Sequence, residues 1–206
     1  MRIYLKTILP TLALAAIFGM TGLHDASAAD RIRVHGTVEN LDGDTLKIKG
    51  SDGRDIAVKI ADGLKVLGVK NASAADIKAG DFVGIGSQPT ARGINGAVQV
   101  VIFPASMKGT GEGDRPWNVR PNGSMTNATV ANAVKDVNGQ TVTLAYNGGE
   151  RKVSIPDGTK IVALTSATRD DLRPGATVSA QGVSSGDQTL AADRLAVGLD
   201  GATPPM

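Results

Sequence analysis

The feature that most constrains this chain is that one pattern occurs in it twice. Laying residues 34–48 (VHGTVENLDGDTLKI) over 130–144 (VANAVKDVNGQTVTL) pairs Val34 with Val130, Val38 with Val134, Gly43 with Gly139 and Thr45 with Thr141. After a one-residue gap the match continues through Gly53/Gly148, Val58/Val153, Ile60/Ile155, Asp62/Asp157, Gly63/Gly158 and Lys65/Lys160. It runs on to Asp76/Asp171, Gly80/Gly175 and Val83/Val178. Glycines at turns and apolar residues at alternate positions are what two copies of one β-fold retain, and a repeat has to be recognised before any motif inside it is read. The repeats occupy 31–104 and 127–198.

Within each repeat the hydrophobic period is two. Val34, Val38, Leu46, Ile48, Ile56, Val58 and Ile60 alternate with polar residues, as in half-buried strands. Asp42-Gly43 and Asn138-Gly139 are dipeptides that tight hairpin turns prefer, because both central residues need positive φ. Asp52-Gly53, Asp62-Gly63, Asn95-Gly96, Gly148-Gly149 and Asp157-Gly158 add turn signals at short spacing. Residues 74–80 (AADIKAG) and 169–175 (RDDLRPG) break the pattern and read as a single helical turn ended by Gly. Each repeat is therefore expected to hold five or six short strands and one helical turn. The fold class is all-β: two tandem small antiparallel β-barrels, of the size of OB or SH3-like domains, since a small sheet removes its edges by closing. The alternative is one continuous sandwich in which the repeats share a core.

Ahead of the repeats lies a segment that reads as an address. Arg2 and Lys6 precede the apolar run 8–20 (ILPTLALAAIFGM), and Ala26-Ser27-Ala28 supplies the small-x-small signal of a cleavage site. Residues 1–28 are expected to be a secretory signal peptide; their apolar run is short for a spanning helix of about 20 residues. Nothing later approaches a membrane span, so the chain is expected in a bacterial periplasm or outside the cell. It contains no Cys, which excludes a disulfide framework, a thiolate metal site and a Cys nucleophile.

Between the repeats, 105–126 forms a linker of a different kind. The stretch 104–124 (PASMKGTGEGDRPWNVRPNGS) carries four Gly, three Pro and the only Trp of the chain. A tether is normally polar, so Trp117, with Arg115, Pro116 and Arg120 around it, is expected to order the linker by packing in the groove between the barrels. Arg115 and Arg120 would rim it, and a ligand or partner site would border the same groove with Met107 and Met125. The tail, 199–206, is expected to fray.

Other motifs carry less. Residues 182–186 (GVSSG) match G-x-S-x-G, but no helix pattern follows and His35 lies far upstream, so a hairpin loop is the better reading. Residues 109–113 (GTGEG) suggest a phosphate loop, yet Glu112 and Asp114 would repel phosphate and Pro116 stops a helix. The available metal ligands are His35, Met107, Met125 and the carboxylates of Asp42, Asp44, Glu112 and Asp114. His35 with the two methionines would suit a soft cation such as Cu(I). A formal net charge of +2 and 3% aromatics give neither the positive groove nor the stacking platform of a single-strand nucleic-acid binder. The sequons at Asn71 and Asn127 read as chance.

The pattern V-x-G-x-V … DG-x-T-L-x-I … DG … V-x-I … D-I-x-x-G-D-x-V over 34–83 resembles domain of unknown function 5666, a family of small bacterial β-barrel domains. The second copy matches less closely: Ala131-Asn132-Ala133 replaces the opening glycine and Ala176-Thr177 the Gly-Asp pair. The linker resembles a segment of exported two-copy relatives in which the position of Asp114 is usually His. The resemblance covers nearly the whole chain after the leader and implies a fold but no activity. With no nucleophile–base pair, no paired carboxylates and no cofactor motif, the expectation is a non-enzymatic binding or adaptor module. Its partner is an envelope protein or small ligand, without cofactor, nucleic acid or membrane span; the alternative is a periplasmic metal-handling protein using His35, Met107 and Met125.

Overall fold

A computed structural model describes residues 31–206 other than Arg92, Val137, Asn138 and Asp187. Residues 1–28, expected to be a signal peptide, and Asn138, expected in the second hairpin turn, lie outside the described residues. The protein is all-β. The first repeat supplies β1 (Arg31–Asp42), β2 (Thr45–Gly50), β3 (Asp55–Ile60), β4 (Val66–Ala72), β5 (Phe82–Gln88) and β6 (Asn95–Ile102). The linker holds β7 (Gly113–Pro116). The second repeat supplies β8 (Ser124–Asp136), β9 (Gly139–Tyr146), β10 (Gly149–Pro156), β11 (Lys160–Ser166), β12 (Thr177–Ser184) and β13 (Thr189–Gly198).

The expected helical turns are short 3₁₀ turns, Ala74–Asp76 and Arg169–Asp171, each in a capping box. Ser73 Oγ and the Ser73 amide donate to Asp76, and Thr168 does the same with Asp171. Asn95-Gly96, read as a turn, instead opens β6, where Gly96 pairs with Gln88.

Strand pairing departs from the expected one barrel per repeat. β1, β2, β3, β13 and β12 close a five-stranded barrel, its seam being the parallel β3–β13 contact. Three of these strands come from the first repeat and two from the second. β8, β9, β10, β6 and β5 are linked in a second circuit, whose β10–β6 contact is two residue pairs long. The repeats thus exchange their last two strands, and 31–104 and 127–198 delimit sequence repeats rather than separately closed units. The crossing is made by β4 and β11, antiparallel to each other, with Val69 opposite Leu164. β4 also pairs with β13 and β11 with β6, so the two copies meet about a pseudo-twofold.

Register also corrects the sequence alignment of the first strands. Val38 faces Ile48 just before a bulge in β1, and Val130 faces Leu144 just before the corresponding bulge in β8. Val130 is therefore the structural counterpart of Val38, not Val34. The β8–β9 hairpin is longer than β1–β2, which slid the repeats against each other in sequence.

Three hydrophobic clusters follow from this pairing. The first barrel is filled by Val38, Leu46, Ile48, Val58, Leu190 and Leu195, with Leu172 from beyond the second 3₁₀ turn. The second lobe buries Val83, Ile85, Val100, Val130, Leu144 and Ile155, with Ile77 in the equivalent role. Val69, Val101, Val162 and Ala202 form a third cluster at the crossing. Each fully buried Leu or Val contributes roughly 1.5–3 kcal/mol.

Candidate binding cleft

The outer faces of the first barrel and the second lobe meet over the β4–β11 crossing and leave a cleft of about 520 Å³ between them. That is within the usual range for small-molecule sites, about 300–1,000 Å³. The first barrel contributes Arg33 from β1, Ser179 and Gln181 from β12, and Arg194 and Ala196 from β13. Alternation explains their position. Ala180 and Leu195 point into the core, so Gln181 and Arg194, adjacent in register with each other and with Arg33, point outward. The second lobe contributes Gly84, Gln99, Val101, Met125 and Asn127, and the crossing strands add Leu67 and Leu164.

The linker and the tail complete the lining. Phe103, Met107, Thr110, Gly111 and Arg115 come from the linker side, and Pro204, Pro205 and Met206 from the tail. A Cβ on Gly84 would meet the Asn127 side chain at 2.9 Å and the Phe103 ring at 3.1 Å, so a glycine is what lets that ring lie on β5. Asn127 Nδ2 donates to the Thr110 carbonyl at 3.1 Å and ties the Gly-rich stretch down. The tail does not fray. Ala202 is buried, Thr177 Oγ1 donates to its carbonyl at 2.8 Å, and a Cβ on Gly198 would collide with that same carbonyl. The buried Gln99 amide then holds Met206 by both backbone groups, Nε2 donating to the Met206 carbonyl and Oε1 accepting its N–H, each at 3.1 Å.

The charged side chains of the cleft have one sign. Arg33, Arg115 and Arg194 line it, no Asp or Glu side chain does, and none of the three forms an ion pair among the described residues. Arg33 keeps contact with solvent and donates to Gln181 Oε1 at 3.4 Å. Partial desolvation, and then the charge on Arg194, lower its pKa from the ordinary value. Arg115 donates to the Gly111 carbonyl at 2.9 Å. Chemically, the arrangement offers donors to an anion beside an apolar surface.

Of the residues singled out in the sequence, Met107, Met125 and Arg115 line the cleft, whereas Trp117, Arg120 and His35 do not. Trp117 is 8% exposed and packs on the second lobe, over Gly86 of β5, where a Cβ would sit 2.7 Å from its ring. Its backbone N–H donates to the Gly123 carbonyl, and the Gly123 N–H donates to the carbonyl of Arg120, whose side chain is exposed. The tryptophan thus packs against one lobe, over Gly86, and is not among the residues that line the cleft. His35 lies opposite Ser179 in register. Its pKa is lowered by burial first, then by the charges on Arg33 and Lys160.

Three of the four carboxylates considered as ligands are engaged elsewhere. Asp44 pairs with Arg169, Glu112 accepts the Asn147 amide at 3.0 Å, and Asp114 pairs with Arg151 at 2.9 Å. Asp114 also accepts from Ser124 Oγ and from Thr126 Oγ1, which fastens β7 to β8 and β10. Among the described residues no group of three or more His, Asp or Glu could hold a metal ion. Residues 182–186 lie at the β12–β13 hairpin, as read.

Sequence reasoning missed Arg33, Arg194, Gln181, Gln99 and the tail. Arginines on alternate strand positions look like an ordinary solvated face. The signal available was Gln99, a polar residue inside the run AVQVVIF. Among the described residues no helix is long and apolar enough to cross a membrane. No family model, curated protein or solved structure matches this chain.

Proposed function

We propose that the protein is an exported, non-enzymatic binding module of the bacterial envelope that holds a small ligand in the cleft between its two lobes. In this reading the second circuit is the pseudo-symmetric counterpart of the first barrel, and both serve as rigid walls. The resemblance of the repeat to domain of unknown function 5666 is in keeping with it. The observation that carries the reading is the construction of the cleft. Its lining draws on both repeats, the linker and the tail, and the latter two are fastened by side-chain hydrogen bonds through Asn127 and Gln99. Ordering a Gly-rich linker and a terminal segment costs about 1–2 kcal/mol per residue, an expense that surface connections normally avoid.

The test uses the neutral fluorescent probe N-phenyl-1-naphthylamine. Saturable one-to-one binding to the purified protein is expected, and it should be lost in Ser179→Trp, which fills the cleft from an outward-facing strand position without touching a core. Binding that is absent, or unchanged in a Ser179→Trp variant of native thermal stability, overturns the reading. A second reading, soft-metal handling, is favoured by the presence of both Met107 and Met125 in the lining. Stoichiometric Cu(I) uptake that is lost when both are replaced by Leu would establish it.

A further inference from the structure

The pseudo-twofold gives the cleft two equivalent rows of residues, and they differ in one respect. On the first barrel, Arg33, Gln181 and Arg194 stand abreast across β1, β12 and β13. On the second lobe the same structural positions are Met125, Gly86 and Gln99, abreast across β8, β5 and β6. The second row is neutral and is covered by the protein itself: Trp117 lies over Gly86, and the Met206 backbone is bonded to Gln99. The first row carries two guanidinium groups close enough for one to lower the pKa of the other. No Asp or Glu side chain of the cleft offsets them. The nearest acidic neighbour in sequence, Asp193, is paired with Arg31. Planar guanidinium forks are matched to carboxylate and phosphate oxygens. In the same lining, Leu67, Leu164, Phe103 and Met125 present apolar surface.

Resting on the binding reading above, we propose that the ligand is an organic anion with an apolar body. Its carboxylate or phosphate head is held by Arg33 and Arg194, and its body lies against Leu67, Leu164 and Phe103. Gln181, between the two arginines and bonded to Arg33, acts as a positioning residue that spaces the guanidinium groups.

Displacement of N-phenyl-1-naphthylamine by four probes with ten-carbon chains, all below their aggregation concentrations, tests this. Decanoate and decyl phosphate are expected to compete about tenfold or more better than decanol, because charge-assisted hydrogen bonds are the stronger ones. Decyltrimethylammonium should compete worst. The tighter of the two anions identifies the head group. Replacing Arg33 and Arg194 together by Gln should erase the preference for anions and its salt dependence while leaving decanol unchanged. Because the substitution also removes a repulsion, the melting temperature should hold or rise. Equal competition by decanol and the anions, or an anion preference that survives the double replacement, overturns the proposal while leaving the cleft as a binding site. A double variant that loses decanol binding and melting temperature together also overturns it, since the arginines would then be structural. No binding of the neutral probe itself overturns the binding reading.

Discussion

At Gly86 a missing side chain decides where the chain's only tryptophan rests. Any Cβ there would press into the Trp117 ring, so Gly86→Val is expected to lift the indole off β5. Native tryptophan emission should be blue-shifted and protected from quencher, and that variant should emit as if in water. Trp117→Ala should cost about 3–5 kcal/mol in urea unfolding, the range for large aromatic truncations. His35 gives a residue-scale prediction of opposite character. Burial, Arg33 and Lys160 hold its folded-state pKa below the ordinary 6.5. The unfolded chain then binds a proton at a higher pH than the folded one, so this residue's contribution is present above the ordinary value and is lost as pH falls through it towards the lowered one. Urea midpoints measured from about pH 7 down to about pH 5 should fall for the native protein and fall less for His35→Gln.

Among the elements, β7 lies off the main strand order and pairs with β8 alone, a ladder that a few side chains reinforce. Asp114 accepts from Ser124, Thr126 and Arg151, and the Arg151–Asp114 pair is only partly exposed, 29% and 26%. Asp114→Asn is expected to destabilise by about 1–3 kcal/mol, the range for hydrogen bonds to a charged group. Arg151→Gln should cost a similar amount, and the double variant less than the sum, as a thermodynamic cycle on urea midpoints would read. Strands of this molecule were legible because Leu46, Ile48, Val58 and Ile60 alternate with polar residues and Gly43 and Gly53 punctuate them. The 3₁₀ turns were legible because residues 74–80 and 169–175 break the alternation and end in Gly80 and Gly175. What was not legible is which strand lies beside which. Alternation fixes the face a residue shows and says nothing of the neighbour across the ladder. The same blindness hid the cleft: Arg33 and Arg194 are far apart in sequence and become one row only through Gln181, their shared register partner. Met107, Met125 and Arg115 were found because they sit in the linker, where any departure from strand pattern is visible.

For the molecule as a whole, the exchanged strands mean that the linker joins two halves already held together by their pairing. Cleavage at an inserted protease site between Gly109 and Glu112 is expected to leave the pieces co-eluting in gel filtration and melting as one. Pieces that separate without denaturant would show that the β1–β12 and β5–β8 ladders contribute little. Connectivity of this kind also sets a timetable. Arg31 finds its partner in Val183, and β3 closes its seam on β13, the last strand of all. A chain released N-terminus first must therefore carry β1, β2 and β3 as an unfinished three-stranded sheet, both edges unsatisfied, until nearly the final residue has appeared. Contacts so distant in sequence form slowly. Refolding should accordingly be limited by the arrival of β12 and β13, and a ribosome that stalls before them leaves an aggregation-prone edge.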